Sequence, residues 1–554
     1  MVRDRVIGIS ALAALLMALF IGLQASATGV APVSAQSIPA QTTANISFNV
    51  NAAGKTVNPY VLGTNLPAWL GTARTQNNTF INRTKATDAT MLRLPGGSWS
   101  NGYDWYACEM KDGSKCSSAS WGLNPTSFID FLQATNTQAM YTINMNGTSK
   151  EAAALVAFFN GSVNDNRAIG VDVRGRNWGL VSDWAKLRRD HGNADPIGLK
   201  YFEIGNEIYG GKPGMGKDCA GWGWEDVWTC DGREYVNGIG SGANRKEGYL
   251  EFRTAMKWVD SSIQVGAVGV TPQDSWSNWG NEVIQTAGSA LDFYIIHQYA
   301  YFEPPSGYQD VLAQPQSAWS SIMSDYENAL DEYANGRSIP VAITEHNLFA
   351  TQDKDNSQWM TRGVNMLFMA DSIGQMITHG VDIANQWDLA NGQAWNGTDY
   401  GLLNADSYAR SPQYYVYPLW RRFGQTMLPV TSSHNAAAQL SVYAGRIDPW
   451  TVSVMAVNKT GSPIQTSIQL QNAPALLIGG TADVARTTSL DSQSATFNSV
   501  GNPNDSLSNA PAANLGVVAN PLTYTFQPYS VTLLRLQVKE FIPTDWVYLP
   551  AIVR

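Results

Sequence analysis

Apolar and polar residues follow two different rhythms along this chain. Between residues 60 and 390, short apolar runs alternate with longer stretches in which apolar side chains return every three to four positions. The runs read as strands: YVLGTN (60–65), TMLRLP (90–95), AMYTINM (139–145), KYFEIGN (200–206), IQVGAVG (263–269), DFYIIHQ (292–298), VAITEH (341–346) and IANQWD (383–388). The stretches between them read as helices. Phe128, Phe131 and Leu132 in TSFIDFLQAT share one helical face, as do Leu367, Met369 and Ile373 in NMLFMADSIGQMI. Eight such repeats predict an α/β fold, a closed (β/α)8 TIM barrel over 59–408. From about residue 410 the period falls to two in QLSVYAGR, TVSVMAVNKT, TSIQLQN and SVTLLRLQV, which predicts a C-terminal antiparallel β-sandwich over 409–538. The early ISFNVNAAGKTVNP alternates too, so 45–58 is expected to lend a strand to that sandwich.

The ends follow other patterns. Arg3 and Arg5 precede an apolar run from Val6 to Leu23, with small-residue cleavage sites at Ala25-Ser26-Ala27 and Val33-Ser34-Ala35. This predicts a signal peptide over 1–35, with an uncleaved anchor as the alternative, then a linker over 36–44 and a secreted or cell-surface location. The apolar tail 539–554, ending in FIPTDWVYLPAIVR, suits packing on the sandwich or, as a weaker reading, surface attachment. Four cysteines form two close pairs, Cys108 with Cys116 and Cys219 with Cys230. Disulfides agree with export. Metal binding is the competing reading, but neither pair is C-x-x-C and no His stands at ligand spacing.

Composition narrows the function. With 19 Trp and only 15% charged residues, the chain has a large core and aromatic side chains to spare, so disorder is excluded. The net charge of −9, without a block of like charge, excludes a nucleic-acid surface and favours a neutral polar ligand. No phosphate-binding loop, dinucleotide fingerprint or Gly-x-Ser-x-Gly elbow is present, and no cofactor or metal is expected.

In a barrel of this kind the reacting groups sit at the C-terminal ends of the strands. Glu207 falls just past the fourth strand and Glu345 at the end of the seventh, so the two converge over one cleft. Paired carboxyls suit cleavage of a glycosidic bond, one of them keeping its proton through burial and its neighbour's charge. Glu203 lies deeper in its strand and reads as a structural group. The loop 208–235, rich in Gly and holding three Trp, reads as a cleft wall or as a surface loop packed on the barrel.

The motifs around these acids carry a resemblance. GNE after the fourth strand and TEH at the seventh resemble the retaining glycoside hydrolases of clan A. LRLPGGSWSNGYDW (92–105), NGTSKEAAALVAFFNG (146–161), WAKLRRDHGNADPIGLKYFEIGNE (184–207) and IIHQYA (295–300) resemble one branch, glycoside hydrolase family 51, the α-L-arabinofuranosidases. The likeness spans most of residues 60–390. Two departures stand out: GTNLPAWLG (63–71) lacks the acid that this family carries after its first strand, and Ser98 replaces a usual Asn. Endo-acting cellulases and xylanases of the same clan share the Gly-Gly-x5-Tyr-x-Trp look, and a noncatalytic carbohydrate-binding surface protein is the competitor outside enzymology.

The resemblance implies that Glu207 is the acid/base and Glu345 the nucleophile of a double displacement. Under it, Asn206 would bond the sugar 2-hydroxyl, unless it only forms a turn. Arg93 would bond the nucleophile carboxylate, act as a structural ion pair beneath the site, or do both. His297 and Tyr299 share one face of strand six, Tyr299 facing Glu345 and His297 facing sugar or acid. Gln386 would bond the sugar and Trp387 stack on it, although neighbours on a strand point oppositely unless the strand bends. The partner expected is a polysaccharide or oligosaccharide.

Overall fold

The computed structural model describes residues 43–110, 122–211, 223 and 225–538. The expected signal peptide, most of the linker, the C-terminal tail, Cys116 and Cys219 lie outside the described residues.

Eight strands close into a barrel: β1 (Gly63–Asn65), β2 (Met91–Leu94), β3 (Gln138–Ile143), β4 (Tyr201–Ile204), β5 (Gln264–Val268), β6 (Phe293–Tyr301), β7 (Val341–Phe349) and β8 (Ile383–Gln386). Each runs parallel to the next, and β8 returns to β1. Every one coincides with an apolar run in the sequence, because strands covered on both faces must be apolar on both.

Inside the barrel the side chains form layers. Met91, Met140, Phe293, Ile295, Ala342 and Ile383 make a separate apolar cluster, with Tyr201 packed against it. Two positions further along the same strands, and so on the same interior face, stand Arg93, Thr142, Glu203, His297, Thr344 and Asn385. A polar layer thus rests on an apolar floor, and Glu203 belongs to the barrel interior.

The remaining strands form the sandwich. One sheet orders Val430–Ser432, Thr43–Asn49, Ile464–Gln471 and Leu522–Phe526. The other contains Gly479–Arg486, Ser530–Gln537, Thr451–Asn458, Leu440–Asp448, Thr426–Leu428 and Lys55–Thr56. The early segment therefore serves both sheets. Two details differ from the sequence expectation. Thr43–Asn49 runs parallel to Ile464–Gln471, so the sandwich is not wholly antiparallel. Helical structure also persists past residue 408, through Pro412–Tyr415 and Val416–Arg421, and the first following strand begins at Thr426. The aromatic run there is held by tertiary contacts: Tyr417 Oη donates to the Gly63 carbonyl at 3.0 Å and Trp420 Nε1 to that of Ala370 at 3.0 Å.

The helix α1 (Gly363–His379) joins the two layers. Every residue from Gly363 to Ile377 is buried, so the helix is covered all round and not on one face alone, with the polar Asn365, Asp371, Ser372 and Gln375 enclosed as well. At Gly374 a Cβ would stand 2.3 Å from the Tyr443 ring of the sandwich. One turn earlier, Asp371 accepts from Tyr443 Oη at 2.6 Å and pairs with Lys459 Nζ at 2.7 Å, with both ions wholly buried. Removing one partner of such a pair leaves an uncompensated charge. Asp371→Ala is therefore expected to cost about 3–5 kcal/mol in urea unfolding, and the double variant Asp371→Ala/Lys459→Met to recover much of the loss.

Candidate active site

The end of β4 sets the geometry. Gly205 has φ +89°, a left-handed value, and a Cβ there would lie 2.8 Å from the Ile208 side chain. The chain turns at this point and swings Asn206 and Glu207 over the barrel mouth. Asn101 fixes the turn from across the cleft: its Oδ1 accepts from the Asn206 amide at 3.1 Å and its Nδ2 donates to the Asn206 carbonyl at 2.7 Å.

Glu207 and Glu345 come together. One carboxylate oxygen of each and a ring nitrogen of His297 all lie within 4.8 Å of one another. His297 Nδ1 is 2.7 Å from Glu207 Oε1 and 3.8 Å from Glu345 Oε2, while Nε2 is 3.0 Å from Thr344 Oγ1. Glu345 Oε2 also accepts from Tyr299 Oη at 2.7 Å, and Oε1 from Arg93 Nη1 at 2.7 Å.

Arg93 is the hub beneath them. Fully buried, it donates from Nε to Glu203, from Nη1 also to Asn65 Oδ1 at 3.1 Å, and from Nη2 to Asn206 Oδ1 at 2.7 Å. Glu203 accepts from Thr142 as well. Both sequence readings of Arg93 thus hold at once: it bonds Glu345 and forms an ion pair below the site.

The charges follow from these contacts. Burial works against the charge on Glu345, but His297 and Arg93, with the Tyr299 and Arg93 hydrogen bonds, outweigh it and hold this carboxyl below its ordinary value. Burial also opposes the charge on His297, yet Glu345 and Glu207 raise its pKa above the usual histidine value. The stability contributed by Glu345 is present above the unfolded carboxylate value and is lost as pH falls through the depressed one; that of His297 is present below the unfolded histidine value and is lost as pH rises through the raised one.

The other expected residues divide. The ring of Trp387 packs at the mouth, 5.8 Å from Trp69 and 6.5 Å from Tyr400, and Trp69 is 5.3 Å from Trp99. The glycines of LPGG make room for it: a Cβ on Gly97 would stand 2.4 Å from the Trp387 ring. Gln386 is wholly buried, with Oε1 accepting from Thr64 Oγ1 at 3.0 Å and Nε2 donating to the Tyr400 carbonyl at 2.9 Å. The two neighbours do point apart, and Gln386 ties β8 to β1 and to the Tyr400 segment. In the loop after β4, Trp228 is buried, with Lys246 Nζ 4.4 Å from its ring centre, so this Trp packs on the body of the protein. Cys108 and Cys230 carry no free thiol.

Sequence reasoning missed Asn65, Asn101, Trp69, Trp99 and Glu225. Asn65 ends β1 and was open to the same strand-end rule that singled out the acids. Glu225 reaches back from the loop after β4, where its Oε2 accepts from Asn206 Nδ2 at 3.0 Å and its Oε1 from Ser98 Oγ.

Glu207, His297 and Glu345 are also, among the described residues, the one group compact enough to hold a metal ion. A cation there would compete with the guanidinium already bound to Glu345.

No family model matches the chain. It is 23% identical over 438 residues to intracellular exo-α-(1→5)-L-arabinofuranosidase 1 of Bacillus subtilis (strain 168), a match covering 70% of this chain and 76% of that protein. Among solved structures it resembles the family 51 α-L-arabinofuranosidase of Thermotoga petrophila RKU-1, with a TM-score of 0.66 and 16% identity, over 89% of this chain and 100% of that one. A Paenibacillus polymyxa xyloglucanase of glycoside hydrolase family 44 follows with a TM-score of 0.57 and 14% identity, over 90% of this chain and 100% of that one.

The raised pKa of His297 gives a direct check. Glu345 is the foremost of the groups that raise it, so Glu345→Gln is expected to move its imidazole titration to lower pH, and NMR can resolve this in a chain with five histidines. The chain is a glycoside hydrolase that resembles the α-L-arabinofuranosidases of family 51 in sequence and in fold.

Proposed function

We propose that the chain is an exported, retaining glycosidase that removes α-L-arabinofuranosyl groups from plant-type polysaccharides. The observation that carries the reading is the closeness of Glu207 and Glu345 within 4.8 Å through their nearest oxygens. Inverting enzymes hold their carboxyls roughly 6.5–9.5 Å apart to admit a water molecule, whereas retaining enzymes bring them to about 5–5.5 Å.

The surroundings of the two acids divide the labour. Glu345, held ionised by Arg93, His297 and Tyr299, attacks the anomeric carbon and forms a glycosyl-enzyme. Glu207, which His297 Nδ1 meets at 2.7 Å, gives a proton to the leaving oxygen and then takes one from the attacking water. Asn206, its carbonyl oxygen committed to Arg93, offers its amide N–H to the sugar. Trp387, Trp69 and Trp99 supply apolar ring surface for stacking.

The arabinofuranosyl assignment is supported by the likeness to the Bacillus protein. An endo-acting β-glycanase is the second reading, favoured by the absence of an acid in GTNLPAWLG and by the likeness to the family 44 fold. Export rests on the N-terminal sequence, although the Bacillus relative is named intracellular.

Release of 4-nitrophenol from its α-L-arabinofuranoside is expected for the wild type, with the anomeric configuration of the first product retained by NMR. Glu345→Ala should abolish turnover. Glu207→Ala should lose roughly 10²–10⁴-fold on substrates with poor leaving groups, and less on the nitrophenyl glycoside. Activity confined to xyloglucan, xylan or cellulose would favour the endo-acting reading. Expression with residues 1–35 intact should place the protein in the culture medium or on the cell surface, and deletion of that segment should leave it in the cells.

A further inference from the structure

Glu225 is unused by the double displacement, yet it stands at the same cleft. Its carboxyl is tied down at both oxygens, by Ser98 Oγ from the turn after β2 and by Asn206 Nδ2 from the turn after β4. A carboxylate accepts about four hydrogen bonds, so each oxygen keeps capacity for a further donor. The residue keeps solvent access while its carboxyl group is largely enclosed by the cleft, so a ligand in the cleft can reach that capacity. The loop of residues 63–71, whose Trp69 packs on Trp99 beside Ser98, carries no acid.

We propose that Glu225 is a specificity-determining residue that accepts hydrogen bonds from substrate hydroxyls beside the Asn206 contact. A neutral polyol is the ligand such a pair selects: one amide donor and one carboxylate acceptor, pinned side by side. The inference rests on the glycosidase reading above and adds to it the group that grips the sugar.

The electrostatics agree with this placement. Burial of the carboxyl group, then the charge of Glu207, push the pKa of Glu225 up to about 7; Ser98 donation opposes this, Glu345 adds to it and His297 opposes it. Glu225 bonds Asn206, the neighbour of Glu207, which places it beside the reacting pair. Its acceptor form prevails above about pH 7, and as pH falls below that value protonation removes the grip.

The test uses Glu225→Gln, which keeps the shape, on the full chain with the best 4-nitrophenyl glycoside and with the analogues lacking one ring hydroxyl. The expected result is a KM raised about 10- to 100-fold with kcat little changed. The penalty should shrink on one deoxy analogue. In the wild type KM should rise as pH falls through about 7, and in the Gln variant it should not. Ser98→Ala, which removes a donor that lowers the pKa, should move that transition to higher pH. An unchanged KM, or an equal penalty on every deoxy analogue, overturns the proposal and marks Glu225 as a loop anchor. Wild-type silence on arabinofuranosides with turnover of another glycoside overturns the sugar assignment instead, and the same comparison is then made on that glycoside.

Discussion

Arg93 is a full positive charge with no access to water, and the site is arranged around that fact. Such a charge is tolerated only when its donors are all met and its sign is balanced. Glu203 below and Glu345 above supply the balance, while Asn65 and Asn206 each accept a further N–H. The guanidinium is planar, so the four acceptors are fixed relative to one another as well as to the barrel. Asn206 cannot rotate its amide without leaving an Arg93 donor unmet, and Glu345 cannot lose its proton-free form without weakening the ion pair. One interaction thereby orients the Asn206 amide and helps keep the Glu345 carboxylate charged.

That hub was partly visible in the sequence. Arg93 stood out because it occupies an apolar strand before a Pro-Gly-Gly turn, and an arginine there needs a reason. The eight strands were legible for the same cause that makes a parallel barrel stable: burial on both faces selects unbroken apolar runs. The acids were legible because strand ends point one way in this architecture. What escaped was whatever depends on chain segments meeting in space. Asn101 clamps Asn206 across 105 positions and Ser98 meets Glu225 across 127, with no local period to announce either contact. Gln386 illustrates the converse. Its type suggested a sugar contact, but Thr64 and the Tyr400 carbonyl, supplied by distant segments, occupy its amide.

The sandwich bears on the site through α1, which lies between β7 and β8. Tyr443 and Lys459 of the sandwich converge on Asp371 in that helix, so the element linking the strand of Glu345 to the strand preceding Trp387 is covered on its outer side. A helix buried on every side would be poorly placed on the outside of a bare barrel. The same reasoning explains the helical segment over 412–421, whose aromatic residues alternate poorly with polar ones yet pack between the layers. The two layers are therefore one stability problem, and the barrel's mouth inherits rigidity from contacts on its far side.

The two glutamates are chemically identical and are separated by environment alone. Glu345 faces a guanidinium, a phenol and an imidazole, each of which stabilises its negative charge. Glu207 shares only the imidazole with it, and stands on a backbone turned to φ +45°, further out at the mouth. Unequal surroundings of this kind set two carboxyls apart, and here they keep Glu345 ionised. His297 sits between them, so neutralising either glutamate removes part of what holds the histidine's proton.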